Sequence, residues 1–265
     1  MTEEPIAAPP APQAAAEVVP ADRLPLLEAY AGWLADAGTV RGLIGPREVP
    51  RLWDRHLLNC AVLERLMPTG ATVADIGSGA GLPGLVLAIV RPDLRVTLIE
   101  PLLRRTTFLS EVAEALDLAN VEVVRGRSDV LHGERTFDVV TSRAVAPLGR
   151  LLEWSMPLVS SEGALVAMKG SSVATEIDEA AETLARLGCA EPSVSVLGEG
   201  VLESTTVALR VAWADPGRVG LRSARDNTAS GKTQKAEKKK APRGGRSTKS
   251  GAAKASKNRQ GRPRP

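Results

Sequence analysis

Between Val73 and Gly84 the chain reads Val73-Ala74-Asp75-Ile76-Gly77-Ser78-Gly79-Ala80-Gly81-Leu82-Pro83-Gly84, and the apolar run Leu85-Val86-Leu87-Ala88-Ile89-Val90 follows at once. A short apolar run ending in an acid, a loop with four glycines and a second apolar run spell a strand, a tight turn and a helix start. Glycine lets the backbone approach a ligand closely because no Cβ intervenes. The helix beyond it opens with N–H groups that have no intrahelical partner. Such a loop suits a nucleotide-like cofactor. A plain structural turn is the competing reading of any isolated match.

Gly79-Ala80-Gly81-Leu82-Pro83-Gly84 fits the G-x-G-x-x-G dinucleotide pattern, so the loop alone does not choose the cofactor. Two acids bear on the choice. Asp75 stands directly before the loop, at the expected carboxyl end of the strand. A carboxylate there repels a pyrophosphate but suits the cationic methionine end of S-adenosylmethionine. Glu100 closes the next apolar run, Val96-Thr97-Leu98-Ile99, and can accept both ribose hydroxyls. Enzymes that bind NAD use such an acid too, so Asp75 carries the distinction.

The rest of the chain has the rhythm of an α/β fold. Helical spacing of Leu24, Leu27, Tyr30, Trp33 and Leu34 predicts a helix over 23–37, and a second helix runs over 50–66. Strands then alternate with helices: strand 72–76, helix 82–90, strand 95–99, helix 102–117, strand 121–124, strand 137–142, helix 147–157, strand 163–168 and helix 173–187. Two late β-type runs, 194–197 and 205–213, have only a short connection with Gly198 and Gly200, which favours an antiparallel pair. The expected fold is therefore a Rossmann-like, mainly parallel sheet with a terminal antiparallel hairpin, preceded by N-terminal helices. The expected organisation is a disordered Pro/Ala-rich extension over 1–20, a helical segment over 21–70, the sheet domain over 71–215 and a disordered basic tail over 216–265. Ligands of such sheets bind beyond the carboxyl ends of the strands. Asp75, Glu100, Ser128, Asp129, Ser142, Arg143 and Lys169 all gather there, although Asp129 also reads as a helix cap and Lys169 as a solvated strand end.

Charge is divided unevenly. Residues 221–265 carry 15 Lys and Arg against 2 Asp and Glu, a net of +13, which leaves −10 on residues 1–220 of an overall +3. The tail has almost no apolar residues with which to offset its chain entropy. It reads as a polyanion-binding arm for RNA, or as a solubilising segment. Two cysteines, Cys60 and Cys189, make no disulfide framework, and two histidines, His56 and His132, make no metal site. No apolar run reaches the ~20 residues of a membrane span, and the acidic start Met1-Thr2-Glu3-Glu4-Pro5 is unlike a signal peptide. A cytoplasmic protein is expected.

Beyond these readings the chain resembles a known family. The segment from Asp75 to Gly84, then Leu98-Ile99-Glu100-Pro101 with Arg104-Arg105 and Phe108-Leu109, looks like the bacterial small-subunit ribosomal RNA guanine-N7 methyltransferase G family, also called glucose-inhibited division protein B. Arg127-Ser128-Asp129, Phe137-Asp138-Val139-Val140-Thr141-Ser142-Arg143-Ala144-Val145-Ala146, Met168-Lys169-Gly170 and, upstream, Leu52-Trp53-Asp54-Arg55-His56-Leu57 extend the resemblance over roughly 22–213. The glycine loop is generic to many methyltransferases, whereas the Ser-Arg-Ala and Trp-Asp-Arg-His segments are particular. The resemblance implies a class I S-adenosylmethionine-dependent methyltransferase fold and methylation of guanine N7 in the 530 loop of 16S rRNA, on the rRNA or the small ribosomal subunit; a monomer is expected. It places cofactor contacts on Gly77, Leu82, the Glu100-Pro101-Leu102 turn, Ser128, Asp129 and Arg143, to which the reading of the loop itself adds Asp75 and Gly79. Two departures stand out: Asn59-Cys60 where many members have Asp-Ser, and Ser128-Asp129 where Ala-Glu is common.

Guanine N7 has an in-plane lone pair and no proton, so its methylation requires no general base, and no catalytic acid–base residue is expected. Ser142-Arg143-Ala144-Val145 stands where exocyclic-amine methyltransferases often carry an Asn/Asp-Pro-Pro-aromatic loop, which argues against adenine N6. The product is cationic at N7, so Arg143 better suits the cofactor carboxylate or an RNA phosphate than the guanine edge. Arg55, His56, Arg104, Arg105 and Lys169 are candidate RNA contacts. The three arginines equally read as a solvated helix face, and His56 reads better as a hydrogen-bonded core histidine. The rival functions are a small-molecule methyltransferase, a non-catalytic rRNA-binding or assembly factor, and a dinucleotide oxidoreductase.

Overall fold

The computed structural model of the 265-residue chain describes residues 7–219. Residues 1–6, and the basic tail from 220 onward, lie outside the described residues. Among the described residues, seven strands form one sheet: β1 (Thr72–Ile76), β2 (Arg95–Glu100), β3 (Val121–Arg125), β4 (Phe137–Arg143), β5 (Val159–Lys169), β6 (Ser193–Leu197) and β7 (Thr206–Ala212). Their order is β3-β2-β1-β4-β5-β7-β6. The first five pair in parallel, while β7 lies antiparallel between β5 and β6. The strand order reverses between β1 and β4, the place where sheets of this kind hold their ligand crevice, beyond the carboxyl ends of the strands.

Eight α-helices flank the sheet among the described residues. One face is covered by α1 (Ala15–Val18), α2 (Leu24–Trp33), α3 (Leu58–Ala61), α4 (Gly84–Val90) and α5 (Leu103–Ala115). The other is covered by α6 (Leu148–Ser155), α7 (Val173–Glu179) and α8 (Ala181–Leu187). Alternation along the strands divides the side chains between the two layers. Val73, Val96, Leu98 and Val166 face the first layer, while Ala74, Ile76, Ile99, Leu165 and Ala167 face the second. Both faces are buried, so these strands read as nearly continuous apolar runs. The N-terminal helices share their core with the sheet, and no helix among the described residues is long and apolar enough to cross a membrane.

Three local expectations need correction. The 1–20 extension is ordered from residue 7 onward: Ala15 and Val19 are buried in the core, and the Trp53 indole N–H donates to the Pro9 carbonyl at 2.8 Å. Small apolar side chains can cover a helical surface even where Pro and Ala dominate the composition. The helix expected over 50–66 is a succession of short turns: a 3-10 stretch at Pro46–Arg51, a π-helical stretch at Leu52–Leu57, then α3, then 3-10 again at Val62–Leu66. Pro50 has no N–H to donate into a regular ladder. The helix expected over 173–187 breaks at Ala180, whose backbone (φ −92°, ψ 1°) leaves the helical basin between α7 and α8.

Candidate functional site

The glycine loop bends through three left-handed residues, Gly77, Gly79 and Gly81 (φ +67°, +58° and +97°), which a side chain would strain. Gly84 is required for a different reason. A Cβ there would lie 2.3 Å from Leu98 Cδ2 and 2.7 Å from Asp75 Oδ2. Asp75, at the end of β1, is completely buried, and its Oδ2 accepts the Gly84 N–H at 3.0 Å. The carboxylate thus occupies the start of α4, where partial positive charge favours it. Its other oxygen, Oδ1, is buried with no hydrogen-bond partner among the described residues. Burial pushes the Asp75 carboxyl up to about 7, against the pull of the Gly84 N–H, the nearby Ser78 hydroxyl and the Arg143 charge. From the first helical layer, the buried Tyr30 hydroxyl donates to the Ala80 carbonyl at 2.7 Å and pins the loop.

Glu100 closes β2 one strand away and is also buried. Its Oε2 accepts the Gly79 N–H at 3.0 Å and its Oε1 the Leu102 N–H at 3.0 Å, with Arg105 Nη1 at 3.4 Å. The acid therefore ties the glycine loop to the Glu100-Pro101-Leu102 turn. That turn exposes Leu102, while beyond β3 Ser128 is buried and Asp129 is exposed. These residues form the rim on the β2–β3 side of the crevice.

On the β4 side the chain turns sharply after Arg143: Ala144 has φ +53°, rare for a residue with a side chain. The turn carries Val145 onto the glycine loop, so that a Cβ on Gly77 would lie 3.1 Å from Val145 Cγ2. Arg143 Nη1 is 2.9 Å from His56 Nδ1 and 3.4 Å from the Arg55 carbonyl. His56 Nε2 lies 3.0 Å from Glu48 Oε2. Burial and the Arg143 charge hold His56 below its ordinary range. The hydrogen bond from His56 holds the Glu48 carboxyl low. Beside this group opens a cleft of about 760 Å³ whose lining includes Arg55, Asn59, Arg143, Lys169, Glu176 and Glu179. Asn59 Oδ1 is buried without a partner among the described residues. Lys169 Nζ is 2.7 Å from Glu176 Oε2 and 3.3 Å from the Ala146 carbonyl.

The site residues anticipated from sequence thus fall into two adjoining groups. Gly77, Gly79 and Leu82 lie in the glycine loop, Asp75 and Glu100 bond to it and Glu100 ties it to the Glu100-Pro101-Leu102 turn, Ser128 and Asp129 follow β3, and Arg143 lines the cleft. Arg55 and Arg104 are exposed. His56, Arg105 and Lys169 are bonded within the protein to Glu48 and Arg143, to Glu100, and to Glu176 respectively. Sequence reasoning missed Glu48, Tyr30, Val145 and Glu176. Each acts through a partner far along the chain or on another element, and no local pattern marks it. Cys60 is inert: burial pushes its thiol up to about 12.

The chain is similar in sequence to known proteins. A family model described as rRNA small subunit methyltransferase G matches residues 23–205. The chain is 65% identical over 211 residues to the ribosomal RNA small subunit methyltransferase G of Nocardioides sp. (strain ATCC BAA-499 / JS614), covering 80% of this chain and 84% of that relative. It is 51% identical over 230 residues to the protein of that name from Streptomyces avermitilis, covering 86% and 96%. With the Corynebacterium glutamicum protein of that name (strain ATCC 13032) it shares 55% identity over 203 residues, covering 76% and 91%.

Proposed function

Given that the chain belongs to the ribosomal RNA small subunit methyltransferase G family, we propose that it methylates N7 of a guanine in the 530 loop of 16S rRNA, with S-adenosylmethionine as cofactor. The sheet order with its closing antiparallel pair is that of class I methyltransferases. The observation that carries the cofactor reading is Asp75: a fully buried carboxylate with one oxygen on the start of α4 and the other without a partner among the described residues. An unpaired buried acceptor fits a cationic amine and is hostile to a pyrophosphate. The residues that would hold the cofactor are Asp75, Gly77, Gly79, Leu82, Glu100, Pro101, Leu102, Ser128, Asp129 and Arg143. When bound, S-adenosylmethionine supplies an electrophilic methyl group.

The chain's own contribution is then positioning and electrostatics. Guanine N7 has no proton to lose, and no residue is assigned proton transfer. The cleft beside Arg143 is large enough for a splayed base. Its cationic Lys169 is neutralised by Glu176, and Glu179 also lines it. Arg55 and Arg143 also line the cleft, so it is the Lys169–Glu176 side that suits a base that becomes cationic on methylation. Exposed Arg55 and Arg104 are the RNA contacts of this reading, with Arg143 on a phosphate or on the cofactor carboxylate. A cytoplasmic monomer acting on rRNA or the small subunit completes it. The test is incubation with methyl-labelled S-adenosylmethionine and small subunits, or their 16S rRNA, from a strain lacking the modification. Label at guanine N7 in the 530 loop is the expected result, and its absence refutes the specific function.

A further inference from the structure

We propose that Glu48 and His56 are positioning residues that clamp the Arg143 guanidinium at the wall of the cleft, and that the clamp holds only while His56 is neutral. The hydrogen-bond chemistry leaves one arrangement. A guanidinium has donors and no acceptor, so the 2.9 Å contact makes His56 Nδ1 the acceptor. In the neutral ring the proton is then on Nε2, which donates to Glu48 Oε2 at 3.0 Å. Glu48 thereby selects the tautomer that can receive Arg143, as outer carboxylates do for histidines at metal sites. The Arg55 carbonyl offers the same Nη1 a second, longer contact. The other N–H groups of Arg143 have no partner among the described residues and belong to a side chain that lines the cleft. His56 and Arg55 sit in the π-helical stretch Leu52–Leu57, an irregularity common at functional sites.

Protonation of His56 would place a second donor and a positive ring against Arg143. The charged groups facing His56 are Arg143 from β4, Glu48 from the preceding 3-10 stretch, and Arg55 beside it. Arg143 and Arg55 disfavour the protonated ring and Glu48 favours it, while burial sets the overall direction downward from 6.5. The clamp is therefore closed at neutral pH and opens as pH falls below that value. The consequence for methyl transfer rests on the function proposed above, but the clamp itself does not.

The test has two arms. In the first, the titration of His56 is followed by NMR in the full-length protein, with the signal assigned by its loss in His56→Gln, since the chain has only two histidines. The expected results are an Nε2–H tautomer, an inflection below 6.5, an upward shift in Arg143→Gln and a downward shift in Glu48→Gln. An inflection that ignores Arg143→Gln, or an Nδ1–H tautomer, overturns the proposal. In the second arm, methyl transfer to small subunits is measured from pH 5.5 to 8.5. Wild type should lose about tenfold through an acid limb that follows the NMR inflection and moves down in Glu48→Gln, an isosteric substitution at a half-buried side chain, with folding checked by the variant's unfolding midpoint. A limb that stays in place in Glu48→Gln while the NMR inflection moves overturns the coupling. A wild-type protein that labels no subunit refutes the proposed function instead, and the titrations still decide the clamp.

Discussion

Replacing Asp75 by Asn should make the unliganded protein more stable at pH 8 while removing most of its affinity for the cofactor. Burial pushes the Asp75 carboxyl up to about 7 in the folded chain, against 3.8 for an unperturbed carboxyl, a difference of about 3 pH units. At about 1.4 kcal/mol per unit, the ceiling on the folding cost of ionising it is about 4 kcal/mol. The sign follows from proton counting. Between roughly pH 4 and 7 the folded state keeps a proton that the unfolded chain has released, so wild-type stability falls as pH rises through that window. Above it the full cost is present, and below it there is none. Asn is neutral throughout and can still accept the Gly84 N–H through its amide oxygen, as the protonated carboxyl does at the low end of that window. The variant should therefore match wild type near pH 4 and exceed it by up to about 4 kcal/mol at pH 8 in urea unfolding. Its affinity for S-adenosylmethionine, measured by calorimetry, should fall roughly 100-fold, the equivalent of about 2.7 kcal/mol. Wild-type affinity should in turn strengthen from pH 6 to 8, because a bound cation favours the ionised carboxylate. A variant no more stable than wild type at pH 8, or one that binds the cofactor equally well, would refute the reasoning.

Further substitutions probe the surrounding structure. Gly84→Ala puts a methyl group within 2.3 Å of Leu98 Cδ2 and 2.7 Å of Asp75 Oδ2, and should cost about 1–3 kcal/mol by overpacking, read as a lower unfolding midpoint. Trp53→Phe leaves the Pro9 carbonyl without its indole donor and should cost about 1 kcal/mol in urea unfolding, with protease sensitivity appearing first in the N-terminal extension. Deleting Leu221–Pro265, which carries the net +13, should weaken affinity for 16S rRNA and flatten its dependence on salt concentration. An unchanged salt slope would mean that the tail does not contact RNA.

The residues from Asp75 to Gly84 show how the two levels of description divide. Strand, glycine turn and helix were legible in the sequence because each depends on neighbours a few positions away: apolar periodicity, left-handed φ at glycine, and an acid closing a strand. The same holds for the alternation of strands and helices, the closing antiparallel pair and the resemblance to the methyltransferase family. The role of Asp75 was legible only in part. Its type and place before the loop suggested a partner for a cation. Its complete burial, its bond to Gly84 and its resulting shift toward neutral pH depend on Leu98 and Gly84 packing around it.

The crevice between β1 and β4 repeats the lesson over longer distances. Glu48, His56 and Arg143 meet across a separation of 87 residues between the last two, and nothing local to Glu48 marks it as their partner. The N-terminal extension reads as disordered by composition, yet Ala15 and Val19 lie buried because the helical layer offers them a surface. By itself the sequence determined the elements, their order and the side chains available at the strand ends. The tertiary structure decided which of those side chains are buried, which pair with each other, and which remain for a ligand. Burial and pairing depend on which distant residues the fold brings alongside, and that is absent from any local pattern.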